Sequence, residues 1–309
     1  MPDLLLVLTG ADHWTLDDGT QHPTGYWAEE LVAPMTVFRD AGVDVTIATP
    51  GGVTPTVDAV SLSPDVVGED EAARLRSELD ALTELLAAPM VLEQVAPDAY
   101  DGVFIPGGHG PMEDLAASPE LGRLLVAMLD DGGIIGSVCH GPAALLSATR
   151  DDGSWAFAGR ELSAFTNEEE TQGGLADRAS WLLEDRIRDA GGTLRTGPAW
   201  QPFSVVDGDL VTGQNPASST EVAEKVVERL DARSHRVHVV PKDGAWTYEH
   251  EHGEPEGRFA TQREAERAAK EHARAHGDWE VIIHDRRGRI RDSDTMDRAH
   301  ESPKRDRVR

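Results

Sequence analysis

The chain has 309 residues, and 56 acidic against 29 basic side chains give it a formal charge of −27. With 39% hydrophobic residues it can bury a sizeable core, which excludes wholesale disorder. No apolar run approaches the roughly 20 residues that span a bilayer, and no signal segment opens the chain, so the expectation is a cytoplasmic protein with no membrane partner.

In chain order, residues 4–8 form an apolar run that reads as a first strand. Residues 27–41 have helical spacing and stop at Gly42; residues 43–49 are β-rich and close on Pro50-Gly51-Gly52. Helical spacing returns over 71–86, and a strand at 102–105 runs into Pro106-Gly107-Gly108-His109-Gly110. An amphipathic helix at 119–130, a buried strand at 133–138 and a helix at 141–148 follow. Further strands fit 161–165, 193–195, 203–206 and 210–212, with helices at 179–190 and 217–230. Strands that are apolar throughout and alternate with helices predict a doubly wound α/β domain with a mostly parallel sheet, covered on both faces.

From Arg236 the pattern changes. Residues 236–240 and 246–250 alternate as a hairpin around Lys242-Asp243-Gly244. A charged, Ala-rich helix at 261–276 and a strand at 280–284 complete a small β-β-α-β unit. The expected division is 1–232, a small α+β domain at 236–295, and a charged tail at 296–309. Charge follows the same boundary. Residues 234–309 hold 16 basic and 16 acidic side chains, so the first 233 residues carry all of the net charge. A surface that acidic repels phosphate, and nucleic acid is not expected as a partner.

Cys139 is the single cysteine, which excludes an intramolecular disulfide and any multi-cysteine metal site. It is either an inert buried thiol or a nucleophile. In Gly136-Ser137-Val138-Cys139-His140-Gly141-Pro142 a buried strand ends, one residue turns, and a helix starts. That is the form of a nucleophile elbow. Helix-end N–H groups beside the sulfur are expected to favour thiolate and to lower the thiol pKa. Gly107, Gly108 and His109 offer a second donor loop at a neighbouring strand end, with the Gly108 and His140 N–H groups as an oxyanion pair. The alternative is that these glycines only make a tight turn.

The elbow SVCHGPAAL, the loop PGGHGPMEDL, the segment EELVAPMTVFRDAGVDVTIATPGG and the late strand LVTGQNPASS together resemble the PfpI-like superfamily, which shares its fold with class I glutamine amidotransferases. Within it they are most similar to the glutathione-independent glyoxalases that also act as holding chaperones. The resemblance spans about residues 1–232 and implies a flavodoxin-like sandwich, a homodimer, and no cofactor. It implies Cys139 as nucleophile, His140 beside it, Glu30 hydrogen-bonded to the sulfur, and Glu170 orienting the histidine. Glu168, Glu169 and Glu170 run together where the family pattern has a glycine, so the acidic partner is open by one or two places. Glu29 and Glu30 diverge by about 100° on a helix, and the spacing to Pro34 selects Glu30.

The implied substrate is a small aldehyde such as methylglyoxal, converted to a 2-hydroxy acid. That reaction needs only a nucleophile and a proton shuttle. Rival readings are a chaperone or redox-sensing thiol, and an amidase or peptidase of the same superfamily. A glutaminase would need a later His–Glu pair, but no histidine lies between His140 and His235, and no Gly-x-Ser-x-Gly elbow occurs. His13, His22 and His109 are the remaining histidines of the body, and no functional metal is expected there; His250-Glu251-His252 reads as a solvated loop. Trp14, Trp27, Trp155 and Trp200 read as core aromatics or pocket walls. The C-terminal unit resembles a small bacterial domain family of unknown function.

Overall fold

The computed structural model describes residues 1–234, 236–250, 255–276 and 280–295. The chain divides into two compact units, Met1–Arg229 and Leu230–Arg309.

The first unit is built on a seven-stranded sheet. Across it the strands run Ser204–Asp207, Leu210–Gly213, Ile134–Val138, Gly102–Ile105, Asp3–Val7, Asp44–Thr49 and Met90–Val91. Every neighbouring pair is parallel except the first, where Ser204–Asp207 runs antiparallel to Leu210–Gly213. The central strands are buried along their whole length, which is why they read as unbroken apolar runs. Helices Ala28–Asp40, Pro119–Asp130 and Ser219–Ser234 supply much of the cover, and Phe38 meets Phe104 edge-on at 5.4 Å between ring centroids.

Several elements differ from expectation for local reasons. The helix expected over 71–86 starts earlier and breaks at Leu82, giving Glu69–Ala81 and Thr83–Ala87. The segment after the elbow is a 3-10 helix, Gly141–Ser147. Residues 161–165 contribute only the two-residue strand Glu161–Leu162, paired with Thr193–Leu194 apart from the main sheet. A small hairpin of His13–Thr15 with Gln21–Pro23 was not foreseen; its three-residue strands are too short for a period to show.

The second unit is a five-stranded sheet rather than a β-β-α-β unit. Its order is Glu256–Phe259, Ala245–His250, Arg236–Lys242, Glu280–His284 and Ile290–Thr295. Helix Gln262–His276 packs its alanines Ala265, Ala269 and Ala273 against Val237, Val239, Trp246 and Val281. The hairpin turns on Asp243 and Gly244, both with positive φ (49° and 74°), as a two-residue primed turn requires. Residues 296–309, expected as a charged tail, lie outside the described residues. Among the described residues no helix is long and apolar enough to cross a membrane.

Candidate active site

The site lies at the carboxyl edge of the parallel sheet, where loops from adjacent strands converge. Strand Ile134–Val138 ends at Cys139, whose φ of 61° makes it one of three non-glycine residues with positive φ among the described residues. A positive φ on a bulky side chain stores strain that the surroundings must hold. Here the Cys139 N–H donates to Gly213 O (3.0 Å), and Cys139 O accepts from the Phe165 N–H (2.9 Å). The elbow is thus fastened on both sides.

Glu30 comes from the first turn of helix Ala28–Asp40 and is fully buried, while Glu29 turns away. Its Oε2 accepts the Gly107 N–H at 2.6 Å, the carboxyl meets the Cys139 thiol, and Oε1 has no partner among the described residues. Burial pushes the Glu30 carboxyl up to about 8, and the Cys139 thiol and the Gly107 N–H only partly offset it. The expected low thiol pKa is not found. Burial, and then the Glu30 carboxylate, raise the Cys139 thiol well above its ordinary value, against a smaller lowering by the His140 backbone. The helix-end argument undercounted desolvation, which acts on the whole charge of the sulfur.

His140 Nδ1 is 3.4 Å from Cys139 Sγ, and His140 Nε2 is 2.7 Å from Glu170 Oε2. Burial lowers the His140 pKa, and His109 adds to the lowering. Burial opposes charge on Glu170, yet His140 and His109 together hold it below the usual carboxylate range. An ionised Glu170 fixes the proton of neutral His140 on Nε2, leaving Nδ1 as the acceptor that faces sulfur.

Helix Asn167–Gly173 separates the three consecutive glutamates. Glu168 bonds Gln172 on the surface, and Glu170 faces the histidines. Glu169, one of the three candidates for the acidic partner, does not bond the histidines and is fully buried with five donors on its carboxylate. They are the Thr166 N–H and hydroxyl, the Trp200 N–H, and the side-chain amides of Gln214 and Asn215. Thr166 and Glu169 also form a capping box, a T-x-x-E signature that was readable in the sequence.

The glycine loop divides its tasks. Gly107 does not belong to the oxyanion group, because its N–H holds Glu30. A Cβ there would sit 2.6 Å from His140 N and 2.7 Å from Glu30 Oε2. Among the described residues the Gly108 and His140 N–H groups donate to no backbone carbonyl, and the His140 N–H is directed to the Cys139 sulfur, whose thiolate it favours. Gly108 has φ 85°, and a Cβ on it would strike Gly25 O. The His109 side chain turns to Glu170, with Nε2 2.9 Å from Oε1. Five rings then stand in file, Trp14, His109, His140, Phe165 and Trp200, with successive centroids 5.0, 4.1, 4.3 and 5.5 Å apart. Glu113 and Asp114 place the first of them. Glu113 accepts from Thr15, and Asp114 from Thr9, Gly10 and Ala11, which fixes the hairpin bearing Trp14. Of the other tryptophans singled out, Trp27 donates its N–H to Gly107 O, and Trp155 packs at the edge of the core.

The donor atoms of His109, His140 and Glu170 lie within 4.8 Å of one another, as do those of His250, Glu256 and His272. In the first set mutual hydrogen bonds account for the closeness. In the second, His250 Nε2 is 2.7 Å from His272 Nε2, whose Nδ1 is 3.5 Å from Glu256. Glu251 and His252 lie outside the described residues.

Residues 24–229 match the DJ-1/PfpI family. The chain belongs to that family. Residues 237–296 match a second description, an uncharacterized protein conserved in bacteria (DUF2188). A probable glutathione-independent glyoxalase of Schizosaccharomyces pombe is 29% identical over 236 residues, covering 67% of this chain and 90% of the relative. A protein/nucleic acid deglycase of Staphylococcus aureus is 27% identical over 238 residues, covering 74% of this chain and 79% of the relative. Among solved structures, glyoxalase III of Candida albicans aligns with a TM-score of 0.64 at 26% identity, over 74% of this chain and 96% of that one. The DJ-1/PfpI assignment accounts for the mostly parallel sandwich and does not extend to the five-stranded sheet of the second unit.

Proposed function

We propose that this DJ-1/PfpI protein is a glutathione-independent glyoxalase that converts methylglyoxal, or a related small 2-oxoaldehyde, to a 2-hydroxy acid through Cys139. One observation carries the reading. A buried thiol in a strained elbow stands between a neutral imidazole acceptor and a carboxyl that stays protonated to about pH 8. The similar proteins named as glyoxalases support it.

The chemistry runs on this chain's own groups. Cys139 sulfur adds to the aldehyde carbon as His140 Nδ1 takes the thiol proton, so the thiolate exists only while it is being consumed. The new alkoxide lies toward the Gly108 and His140 N–H groups and regains that proton from His140. The C1 proton then moves to C2 through an enediol. Glu30 suits this transfer because its pKa lies near the working pH, where a carboxyl gives and accepts protons with similar ease. The rearranged thioester is opened by water: the C–S bond breaks, the sulfur leaves as thiol, and the 2-hydroxy acid is released as its carboxylate with one net proton. Neither an oxidant nor a reductant is consumed.

A resting thiol held protonated by burial is a poor redox sensor, since oxidation proceeds through thiolate and needs access. The test is lactate formation from methylglyoxal without glutathione, for the wild type and Cys139→Ala. Turnover in the wild type that vanishes in the variant is expected. Absence of turnover in both, with a thiol that oxidises readily at neutral pH, would transfer the assignment to a sensor.

A further inference from the structure

Glu170 serves two imidazoles. His140 Nε2 lies 2.7 Å from one carboxylate oxygen and His109 Nε2 lies 2.9 Å from the other, with the two rings 4.1 Å apart. An ionised carboxylate only accepts, so both Nε2 atoms are N–H donors. A proton arriving from solvent has two possible seats, and both cannot be filled. Two imidazolium rings at that spacing over one carboxylate would leave an unbalanced positive charge in a nearly dry pocket.

The two seats are not equivalent. The His140 side chain is 2% exposed and the His109 side chain 14%. His109 also lies flat against the Trp14 indole, at 5.0 Å and 13°, where a ring face stabilises a cation. We propose that His109 is the charge-holding partner of the catalytic pair: it takes the single positive charge that Glu170 can balance, and so keeps His140 neutral with Nδ1 open to the Cys139 proton.

His109 touches neither sulfur nor the oxyanion pair through its side chain, so it acts through Glu170 as a positioning residue. The titratable groups facing it are His140 from the elbow, Glu170 from helix Asn167–Gly173, and His22 from strand Gln21–Pro23. Burial and then His109 lower the His22 pKa and Arg178 adds to the lowering, while Asp58 and Glu170 raise it less, so the net direction is down. His22 therefore does not compete for the charge. The catalytic meaning rests on the glyoxalase reading, but the division of charge belongs to the site alone.

The experiment is an imidazole ¹⁵N NMR titration of the full chain in EDTA, for wild type and His109→Gln, beside the pH profile of kcat/KM. Glutamine keeps an N–H for Glu170 but carries no charge. In the wild type His109 is expected to become cationic while His140 remains the neutral Nε2–H tautomer. In His109→Gln, His140 should gain its proton at least about one pH unit higher, because one charge at this distance has that effect even under aqueous screening and a larger one in a drier pocket. The acid limb of kcat/KM should move up with it. The proposal is overturned if His140 charges first in the wild type, or if its titration is the same in both proteins. Should the variant fail to fold, the order of titration in the wild type decides alone. A wild type without methylglyoxal turnover would remove the functional reading, and the NMR result would still judge the division of charge.

Discussion

Replacing Glu30 with glutamine should make the protein more stable and far less active. Below about pH 4.5 the carboxyl is protonated in the folded and the unfolded chain alike, and its burial carries no pH-dependent penalty. Between about 4.5 and about 8 the unfolded chain releases a proton that the folded chain keeps. Each pH unit in that window lowers stability by ~1.4 kcal/mol, so at pH 7 the penalty is ~3 kcal/mol. Glutamine removes it and still offers a carbonyl oxygen to the Gly107 N–H. The new amide N–H₂ replaces an oxygen that already lacked a partner, and leaving it unpaired costs ~1–2 kcal/mol. The net gain at pH 7 is ~1–2 kcal/mol, or roughly 3–6 °C in Tm for a unit of this size. Circular dichroism melts of wild type and Glu30→Gln at pH 5 and pH 8 would read it, with the gap widening as pH rises. Lactate formation should fall by ~10²–10⁴, the range for losing a positioned acid–base group. A variant that melts at or below wild type at pH 7, or a gap that does not change with pH, would refute the reasoning that burial, with smaller contributions from Glu29 and Asp58, keeps this carboxyl protonated.

Two further substitutions probe the scaffold. Gly107→Ala puts a methyl group against His140 N, Glu30 Oε2 and Val138 O, all within 3 Å, and should destabilise by ~1–3 kcal/mol while displacing both His140 and Glu30. Urea unfolding and kcat/KM would report it, and an active variant of wild-type stability would show that the loop is softer than drawn. Glu169→Ala strips the acceptor from five buried donors and should cost ~3–5 kcal/mol. A loss below ~1 kcal/mol in the same assay would mean that other acceptors replace it.

Much of the site was legible because its parts are local. The elbow around Cys139 announces itself through small residues and a buried strand, whereas Glu30 was singled out by the family resemblance, with the spacing to Pro34 choosing it over Glu29. What escaped depends on contacts between distant segments. The three glutamates after Asn167 look alike in sequence; a helical step of about 100° sends one to water, one to Gln214 and Asn215, and one to the histidines. The high thiol pKa escaped for a related reason, since local sequence gives the helix end but not the depth of burial. The extra strands Glu256–Phe259 and Ile290–Thr295 are largely polar, so no apolar alternation marked them, and pairing with Ala245–His250 and Glu280–His284 defines them.

The knot around Glu169 also sets how much of the chain the centre depends on. Thiol, both imidazoles and all three glutamates lie at or before residue 170, yet the side chain of Asn215, 46 positions after Glu169, helps secure the helix that aims Glu170. The elbow likewise needs Gly213 O to receive the Cys139 N–H. The centre thus draws on contacts from as far along the chain as Gly213 and Asn215, so the whole sandwich and not the local sequence assembles it.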